Sequence, residues 1–199
     1  MSVEFVKIAS PHDVATLASL ARNIWHEYFV QIISQEQIDY MVEKFQSAGA
    51  IVAQLQDGYE YYFIRSGGAN AGYLGVKPGD DGRLFLSKLY LSREYRGKGL
   101  STTAFEYMES LCRNRGLTAI WLTVNRHNDH TVSVYRHRGF RVIEEKVADI
   151  GRGFVMDDFI MELPVAKGEA LSSKPNGRML KHPAFWFYCI VDQYRSSSS

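Results

Sequence analysis

The sequence lacks most of the features that identify a protein class at once. Its 199 residues contain two cysteines and no Cys-x-x-Cys pair, which excludes a disulfide framework and a cysteine-based metal or redox motif. Lysine and arginine total 23 against 22 acidic residues, so there is no general attraction to nucleic acid or to an anionic membrane. No apolar run approaches the ~20 residues that cross a bilayer, and the first residues lack a signal-peptide pattern. We therefore expect a cytoplasmic protein with no nucleic-acid and no membrane partner.

The apolar content indicates one globular domain followed by a segment of another kind. Hydrophobic residues make up 46% of the chain and aromatic residues 13%, enough for a substantial core. We expect the domain to cover residues 1–164. Residues 165–199 are rich in Lys, Ser, Gly and Pro around a short apolar stretch. We predict that they form a separate tail, which is disordered, derived from vector or frame-shifted sequence, or packed on a partner.

The first half of the chain predicts helices and then strands. Ser10 as N-cap, Pro11 at the first helical position and Asp13 near the positive end of the dipole predict a helix over 11–29. A second helix is expected over 34–47, where Ser34 is the cap and Gln37 completes a capping box. Runs of β-formers separated by turn residues then predict strands over 50–55, 59–66, 71–77 and 84–91.

The second half returns to helical periodicity over residues 100–115 and is followed by β-formers at 119–124. A short helix over 129–138 and strands over 140–147 and 154–163 complete the pattern. Antiparallel strands followed by a β-α-β-α-β order indicate an α+β domain with a mixed sheet.

A glycine-containing loop, residues 95–101 (Tyr-Arg-Gly-Lys-Gly-Leu-Ser), stands between a predicted strand and a predicted helix. Backbone amides at the start of a helix lack partners within it and lie at the positive end of its dipole, so this position suits an anion. Gly97 and Gly99 allow a ligand to approach the backbone closely, and Arg96 and Lys98 add charge that suits a pyrophosphate. A plain basic turn is the alternative. The spacing matches neither a P-loop nor a dinucleotide-binding fingerprint.

Two motifs in this region resemble those of the GNAT acetyltransferase superfamily. Residues 96–101, Arg-x-x-Gly-x-Ser, are similar to that family's Arg/Gln-x-x-Gly-x-Gly/Ala loop. Residues 128–140, Asn-x-x-Thr-x-x-x-Tyr-x-x-x-Gly-Phe, are similar to its Asn-x-x-Ala-x-x-x-Tyr-x-x-x-Gly-Phe. Ser101 and Thr131 depart from the family pattern but are small. The resemblance covers residues 3–163 and implies a GNAT-like α+β fold, with a mixed, mostly antiparallel central sheet flanked by helices on both faces.

The resemblance also implies acetyl-CoA as cosubstrate and assigns residues to it. Backbone groups of Leu89, Tyr90 and Leu91 would bind the pantetheine arm. Asn128 would contact the cofactor, and Tyr135 would lie beside the thioester sulfur. The pyrophosphate would be held by the backbone amides of Arg96, Gly97, Lys98, Gly99, Leu100 and Ser101.

Acetyl transfer to an amine requires a base, because an alkylammonium has an ordinary pKa of ~10.4, and an acid for the departing thiolate. Tyr135 suits the acid because a phenol keeps its proton at neutral pH, although aromatic packing is the alternative role. The base stays open among His26, Glu27, Tyr90 and the pair Asp157-Asp158. We name Glu27 as the catalytic candidate, since the end of the first helix lines the acceptor cleft in GNAT proteins.

The acceptor is predicted less sharply than the donor. The chain resembles small bacterial GNAT enzymes that act on polyamines and related amines. An acidic pocket that includes Glu60 besides Glu27, Asp157 and Asp158 would suit a polycation, with His26 as a further substrate-binding candidate. Since neighbouring residues of a strand point to opposite faces, at most one of the two aspartates faces a given site. A peptide or protein amine and a non-enzymatic acetyl-CoA-binding module are the alternatives, and a homodimer is expected.

Arginine, histidine and cysteine residues form three further patterns. Residues 113–141 contain six arginines against one acid, Asp129, which suits the phosphates of coenzyme A. His127, His130 and His137 lack a carboxylate pattern, so we predict no metal. Cys112 is expected to fill the buried side of a helix rather than to act as a nucleophile. The resemblance to GNAT proteins likewise implies a direct transfer without an acyl-enzyme.

Overall fold

The computed structural model describes residues 2–151 and 154–166, which contain five α-helices and seven strands. The helices are α1 Pro11–Phe29, α2 Gln35–Gln46, α3 Ala48–Gln56, α4 Leu100–Arg115 and α5 Asp129–His137. The strands are β1 Val3–Lys7, β2 Glu60–Ser66, β3 Ala69–Pro78, β4 Arg83–Leu91, β5 Ala119–Asn125, β6 Arg141–Gly151 and β7 Phe154–Pro164. They form one sheet in the order β1-β2-β3-β4-β5-β7-β6. The predicted mixed, mostly antiparallel sheet with flanking helices is confirmed.

The described residues pack as two compact units. The first contains residues 2–75 and 89–101, and the second contains 76–88, 102–151 and 154–166. In the first unit β1 pairs antiparallel with β2. In the second unit β4 pairs parallel with β5 from Arg83↔Ala119 to Leu86↔Leu122, and β7 pairs antiparallel with both β5 and β6. The predicted β-α-β-α-β order is confirmed.

Helix α1 begins and ends where the sequence predicts. The Ser10 side chain accepts a hydrogen bond from the Asp13 amide, and the Asp13 carboxylate accepts one from the Ser10 amide, which together form a capping box. The Asp13 carboxylate also accepts from the Ser10 hydroxyl at 2.8 Å, and this bond contributes most to lowering the pKa of Asp13, followed by the bonds from the Ala9 and Ser10 amides. The apolar stripe is buried and includes Leu17, Ala21 and Trp25. Helix α2 is capped by Ser34, which accepts from the Gln37 amide.

The predicted strand over residues 50–55 is wrong, because these residues belong to helix α3. The Ser47 side chain caps this helix, and Ile51 and Gln54, three residues apart, are its buried residues. The buried Gln54 amide donates to the carbonyl of Phe45 at 3.2 Å, which satisfies one of its polar groups. A cap and a helical spacing of the buried residues therefore outweigh the β-preference of Ile51-Val52.

Gly72 of β3 marks a close approach between two backbone segments of the first unit. A Cβ atom at this position would lie 2.1 Å from the carbonyl oxygen of Tyr90 and 2.8 Å from Leu91 Cδ2. Only glycine fits there, because no side chain is small enough to avoid the backbone oxygen.

Strand β7 ends at Pro164, and the domain boundary at residue 164 stays a prediction. Of the predicted tail, the structure describes Val165 and Ala166; Val165 is buried and its amide donates to the Thr118 carbonyl at 2.9 Å. Residues 167–199 lie outside the described part of the chain. Within residues 2–151 and 154–166 no helix is long and apolar enough to cross a membrane. Cys112 is buried on α4, as predicted.

Candidate active site

The predicted phosphate loop connects β4 to α4. A short 3-10 helix, Arg93–Tyr95, follows β4, and α4 begins at Leu100. Gly97 and Gly99 have positive φ of 72° and 80°, a backbone conformation that favours glycine. Residues 97–99 are exposed, whereas Leu100 and Ser101 are buried. The exposed, glycine-shaped part of the loop thus stands directly before the positive end of the α4 dipole.

The side chain of Arg96 does not extend to solvent with the loop. Its Nε donates to the carbonyl of Leu91 at 2.9 Å, and its Nη1 donates to Glu27 Oε1 at 3.2 Å. The guanidinium lies 5.1 Å from the centre of the Tyr28 ring, and the side chain is 7% exposed. Nη2 is buried and has no hydrogen-bond partner in the described residues. Glu27, the candidate base, is therefore one half of an ion pair inside the first unit.

Lys98 carries the exposed positive charge of the loop. Its ammonium lies 5.6 Å from the centre of the Tyr95 ring, in cation–π distance. Just before the loop, Leu89, Tyr90 and Leu91 are buried at the end of β4, where the Tyr90 ring packs against Trp25 and stacks with Tyr73 at 5.2 Å. Tyr90, another candidate base, thus belongs to an aromatic cluster of the core.

Both ring nitrogens of His26 are engaged. Nδ1 lies 2.8 Å from the carbonyl oxygen of Arg22, and Nε2 lies 2.8 Å from Asp39 Oδ1. The hydrogen bond from His26 lowers the pKa of Asp39. Glu60, which we placed in an acidic pocket, accepts from the Tyr62 hydroxyl at 2.6 Å and pairs with Lys7 at 3.2 Å. These contacts give both side chains local structural partners.

In the second unit, Asn128 and Tyr135 lie at the start and the end of α5. Asn128 is the N-cap, and its side-chain oxygen accepts from the Thr131 amide at 3.2 Å. Tyr135 is 0% exposed, and its ring lies edge-on to Phe105 at 6.2 Å and tilted to Phe140 at 5.4 Å. The Tyr135 carbonyl accepts from the Phe140 amide at 3.0 Å, so a backbone hydrogen bond connects the tyrosine of the motif to its final phenylalanine.

The adjacent aspartates of β7 have different surroundings, as their opposite directions predict. Asp157 accepts from Arg126 Nη1 at 3.3 Å and lies 3.6 Å from His127 Nε2. Asp158 is 3% exposed, and its Oδ1 has no hydrogen-bond partner in the described part of the chain. Burial, and secondly repulsion from Asp157, raises the pKa of Asp158 to about 7.

The arginines of 113–141 are less one-signed than the local sequence indicates. Arg113 pairs with Glu109 at 3.4 Å, and Arg126 pairs with Glu145 at 3.4 Å as well as with Asp157. Their acidic partners lie outside the 113–141 window. These arginines and acids meet only through contacts across strands or along α4. Residues 113–141 taken alone therefore predict a stronger positive field than the fold provides.

Sequence reasoning missed the buried Lys88 in β4. It is 0% exposed, and burial moves the pKa of its ammonium well below the usual 10.5. The neighbouring Ser87 is also buried, with its hydroxyl unpartnered among the described residues. The sequence signal that could have identified Lys88 is a Ser-Lys pair inside an otherwise apolar strand. Among residues 2–151 and 154–166, no group of three His, Cys, Asp or Glu side chains is arranged to hold a metal.

Residues 19–140 match the acetyltransferase (GNAT) family. The chain belongs to this family, which confirms the resemblance carried by the loop and by the Asn–Tyr–Gly-Phe motif. It is an acetyl-CoA-dependent N-acetyltransferase.

Relatives agree with this assignment. The chain is 26% identical over 162 residues to spermidine N(1)-acetyltransferase of Thermoplasma acidophilum, which covers 79% of this chain and 97% of that protein. It is 25% identical over 157 residues to an uncharacterized N-acetyltransferase of Lactobacillus delbrueckii subsp. lactis, covering 75% and 90%. The crystal structure of the PaiA N-acetyltransferase from T. acidophilum in complex with coenzyme A superposes with a TM-score of 0.67 at 26% identity, covering 82% of this chain and 99% of that one.

Proposed function

We propose that the protein transfers the acetyl group of acetyl-CoA to a primary amine of a polyamine or a related small amine. The observation that carries this proposal is the relationship to spermidine N(1)-acetyltransferase, which extends over 97% of that protein. Polyamines are polycations, and Glu27, Asp157 and Asp158 supply carboxylates that attract them. His26, one turn from the end of α1, completes the proposed substrate-binding set.

For the donor, we propose that the loop from Arg96 through Ser101 holds the pyrophosphate. Two positive-φ glycines directly before α4 support this assignment, because they allow the phosphates to approach backbone amides at the helix start. The Arg96 guanidinium is bound to Glu27 and Leu91, so its backbone amide is the proposed contact, and the exposed Lys98 supplies the charge.

Two further groups complete the proposed donor site. Backbone groups of Leu89, Tyr90 and Leu91 would contact the pantetheine arm. This assignment is supported by the β4–β5 pairs, which run from Arg83↔Ala119 to Leu86↔Leu122 while β4 itself continues to Leu91. Asn128 would contact the cofactor from the N-cap position of α5.

The proposed reaction is a direct transfer. The amine nitrogen attacks the thioester carbonyl carbon, so that a C–N bond forms and the C–S bond breaks. Tyr135 donates its hydroxyl proton to the departing thiolate sulfur. The aromatic rings of Phe105 and Phe140 around Tyr135 support this role, since they restrict the orientation of the phenol.

An acetyl-CoA-dependent thiol-release assay across a panel of amines tests the proposal. The panel contains spermidine, spermine and a diamine, together with an amino acid, an aminoglycoside and a peptide with a free N-terminus. We expect kcat/KM for the polyamines to exceed that for the other amines by about tenfold or more, a discrimination that a few specific contacts supply. Turnover of spermidine no faster than of amino acids or aminoglycosides contradicts the polyamine assignment. A peptide as the best substrate favours the alternative acceptor class.

A homodimer and a cytoplasmic location remain predictions. Light scattering of the purified protein measures the first, and fractionation of the producing cells measures the second.

A further inference from the structure

The two aspartates of β7 are neighbours in the chain but differ in their hydrogen-bonding state. Asp157 is half-buried and held by Arg126 and His127. Asp158 is 3% exposed, and its Oδ1 lacks a hydrogen-bond partner in the described residues. A buried polar atom without a partner costs free energy, so a sequence that keeps one in the middle of a strand calls for an explanation in terms of a ligand or a reaction.

The charged groups around Asp158 do not supply that explanation. Its register partners are Asn125 on β5, which is neutral, and Lys146 on β6. Lys146 does not reverse the effect of burial, because the pKa of Asp158 is raised to about 7. Arg126 and His127 face Asp157 instead, and the negative charge of Asp157 adds to the upward shift. The Asp158 carboxyl therefore gains and loses its proton near neutral pH.

The other candidate bases are already occupied. Glu27 accepts from Arg96 Nη1 at 3.2 Å, so its carboxylate is engaged in an ion pair. Both ring nitrogens of His26 have partners at 2.8 Å. Tyr90 is buried in an aromatic cluster. Asp158 is thus the candidate that has a hydrogen-bonding position open for the acceptor.

We propose that Asp158 is the general base of acetyl transfer and that Asp157 is a positioning residue that orients this part of β7 through Arg126. The inference rests on the proposed function. The Asp158 carboxylate takes a proton from the alkylammonium, directly or through one water molecule, and the neutral amine then attacks the thioester carbonyl. The nitrogen loses its second proton as the C–S bond breaks, Tyr135 protonates the thiolate, and the tyrosinate takes up that second proton. One proton leaves with Asp158 to solvent, and one N-acetylated amine and one coenzyme A thiol are formed.

Asp158→Asn and Asp157→Asn are the matched variants that test this division of roles. The pH dependence of kcat is measured from about pH 5.5 to 9 with two amines of different pKa. The fall in kcat at low pH, called the acid limb, keeps its position when the amine changes if it is caused by a group of the enzyme. We expect Asp158→Asn to lower kcat by about 100-fold or more and to remove this acid limb, with acetyl-CoA affinity by calorimetry within about twofold. Asp157→Asn is expected to keep the limb and to lower kcat less than about fivefold.

An Asp158→Asn variant with kcat within about threefold of wild type and an unchanged acid limb overturns the inference while leaving the proposed function intact. A wild-type protein that releases no thiol with any amine of the panel overturns both. If Asp158→Asn fails to fold by circular dichroism, Asp158→Glu decides. An acid limb that is retained but displaced supports a base at this position, and a limb that does not respond to the longer side chain overturns it.

Discussion

The guanidinium of Arg96 and the carboxylate of Glu27 lie 3.2 Å apart, although 69 residues separate them in the chain. The pair joins the arginine of the phosphate loop to the last turn of α1 within the first unit. Because the Arg96 side chain is 7% exposed, its charge depends on Glu27 for compensation. The arginine of the family motif therefore shapes the loop through its side-chain contacts, in addition to what its backbone offers the ligand.

Glu27→Gln tests whether this pair positions the loop. The amide oxygen can still accept a hydrogen bond from Arg96, but the ionic attraction is lost, at a cost of about 1 kcal/mol for a partly exposed pair. We expect the Kd for acetyl-CoA, measured by calorimetry, to rise by about three- to fivefold, which is the same free energy expressed as affinity. The pH profile of kcat should not change.

Glu109→Gln is the matched control, because Glu109 pairs with the exposed Arg113 on α4. It is expected to leave both the affinity and the profile as they are. Loss of the acid limb in Glu27→Gln would identify Glu27, rather than Asp158, as the base.

Gly99→Ala tests the loop itself. Gly99 has φ of 80°, and a Cβ atom there has no neighbour within 4 Å, so the substitution strains the backbone and fills the space before α4 without a clash inside the protein. We expect acetyl-CoA to bind about tenfold more weakly. This corresponds to roughly 1–2 kcal/mol, from backbone strain and from a methyl group that keeps the phosphates away from the loop backbone.

Gly116→Ala gives the comparison, since Gly116 has φ of 70° at the other end of α4 and also has no neighbour within 4 Å. We expect the melting temperature of Gly116→Ala to fall by about as much as that of Gly99→Ala, while its Kd for acetyl-CoA stays within about twofold of wild type. Equal losses of affinity in the two variants would show that strain at the ends of α4, and not the loop, controls binding.

Tyr135→Phe removes the proposed proton donor and keeps the ring that packs on Phe105 and Phe140. Stopped-flow measurement of thiol release should show a decrease in kcat of about 100-fold, as expected for loss of a general acid. Tyr73→Phe serves as the control, because Tyr73 is also fully buried but donates to Gln46 Oε1 in the core. It should reduce stability by about 1 kcal/mol and leave kcat unchanged. A Tyr135→Phe enzyme with normal kcat would reduce this tyrosine to a packing role.

The buried carboxyl of Asp158 predicts an effect on stability as well as on catalysis. Its pKa rises from the ordinary 3.8 to about 7 on folding, so the folded state holds the proton between these values while the unfolded state releases it. The contribution to the free energy of unfolding is present below about pH 4 and is lost as pH rises to about 7, by at most about 4 kcal/mol. Asp158→Asn removes this contribution. Urea unfolding at several pH values should therefore show a flatter pH dependence for Asp158→Asn than for wild type and Asp157→Asn. Parallel curves for all three proteins would contradict the raised pKa.

Local signals predicted the parts of the fold that local contacts determine. The cap at Ser10 and the helical spacing of apolar residues located α1 to the residue, because both act within four positions of the chain. The helix over 48–56 was missed because Ile51-Val52 prefers strands in isolation, whereas the Ser47 cap and burial on one side of a helix decide the outcome.

The candidate site shows the same division. The motif spacing predicted that the loop precedes α4 and that Asn128 and Tyr135 belong to one short helix and its cap, while their roles stay predictions. Strand alternation predicted that Asp157 and Asp158 face opposite ways, but not which one is buried, because that depends on the strands and helices around β7. The engagement of Glu27 by Arg96 could not be read from either residue's neighbours, since the contact spans 69 positions.

Lys88 turns the interior of β4 into a chemical reporter. Its amine is fully buried, which lowers the pKa of its ammonium well below the usual 10.5 and also shields the amine from reagents. An amine-reactive label therefore modifies Lys88 only when the strand opens, whereas the exposed Lys44 and Lys98 are modified at once. The labelling rate of Lys88, followed by mass spectrometry, measures how often β4 opens locally. A lower rate with acetyl-CoA than without it would show that the bound donor stabilises the strand that precedes the proposed binding loop.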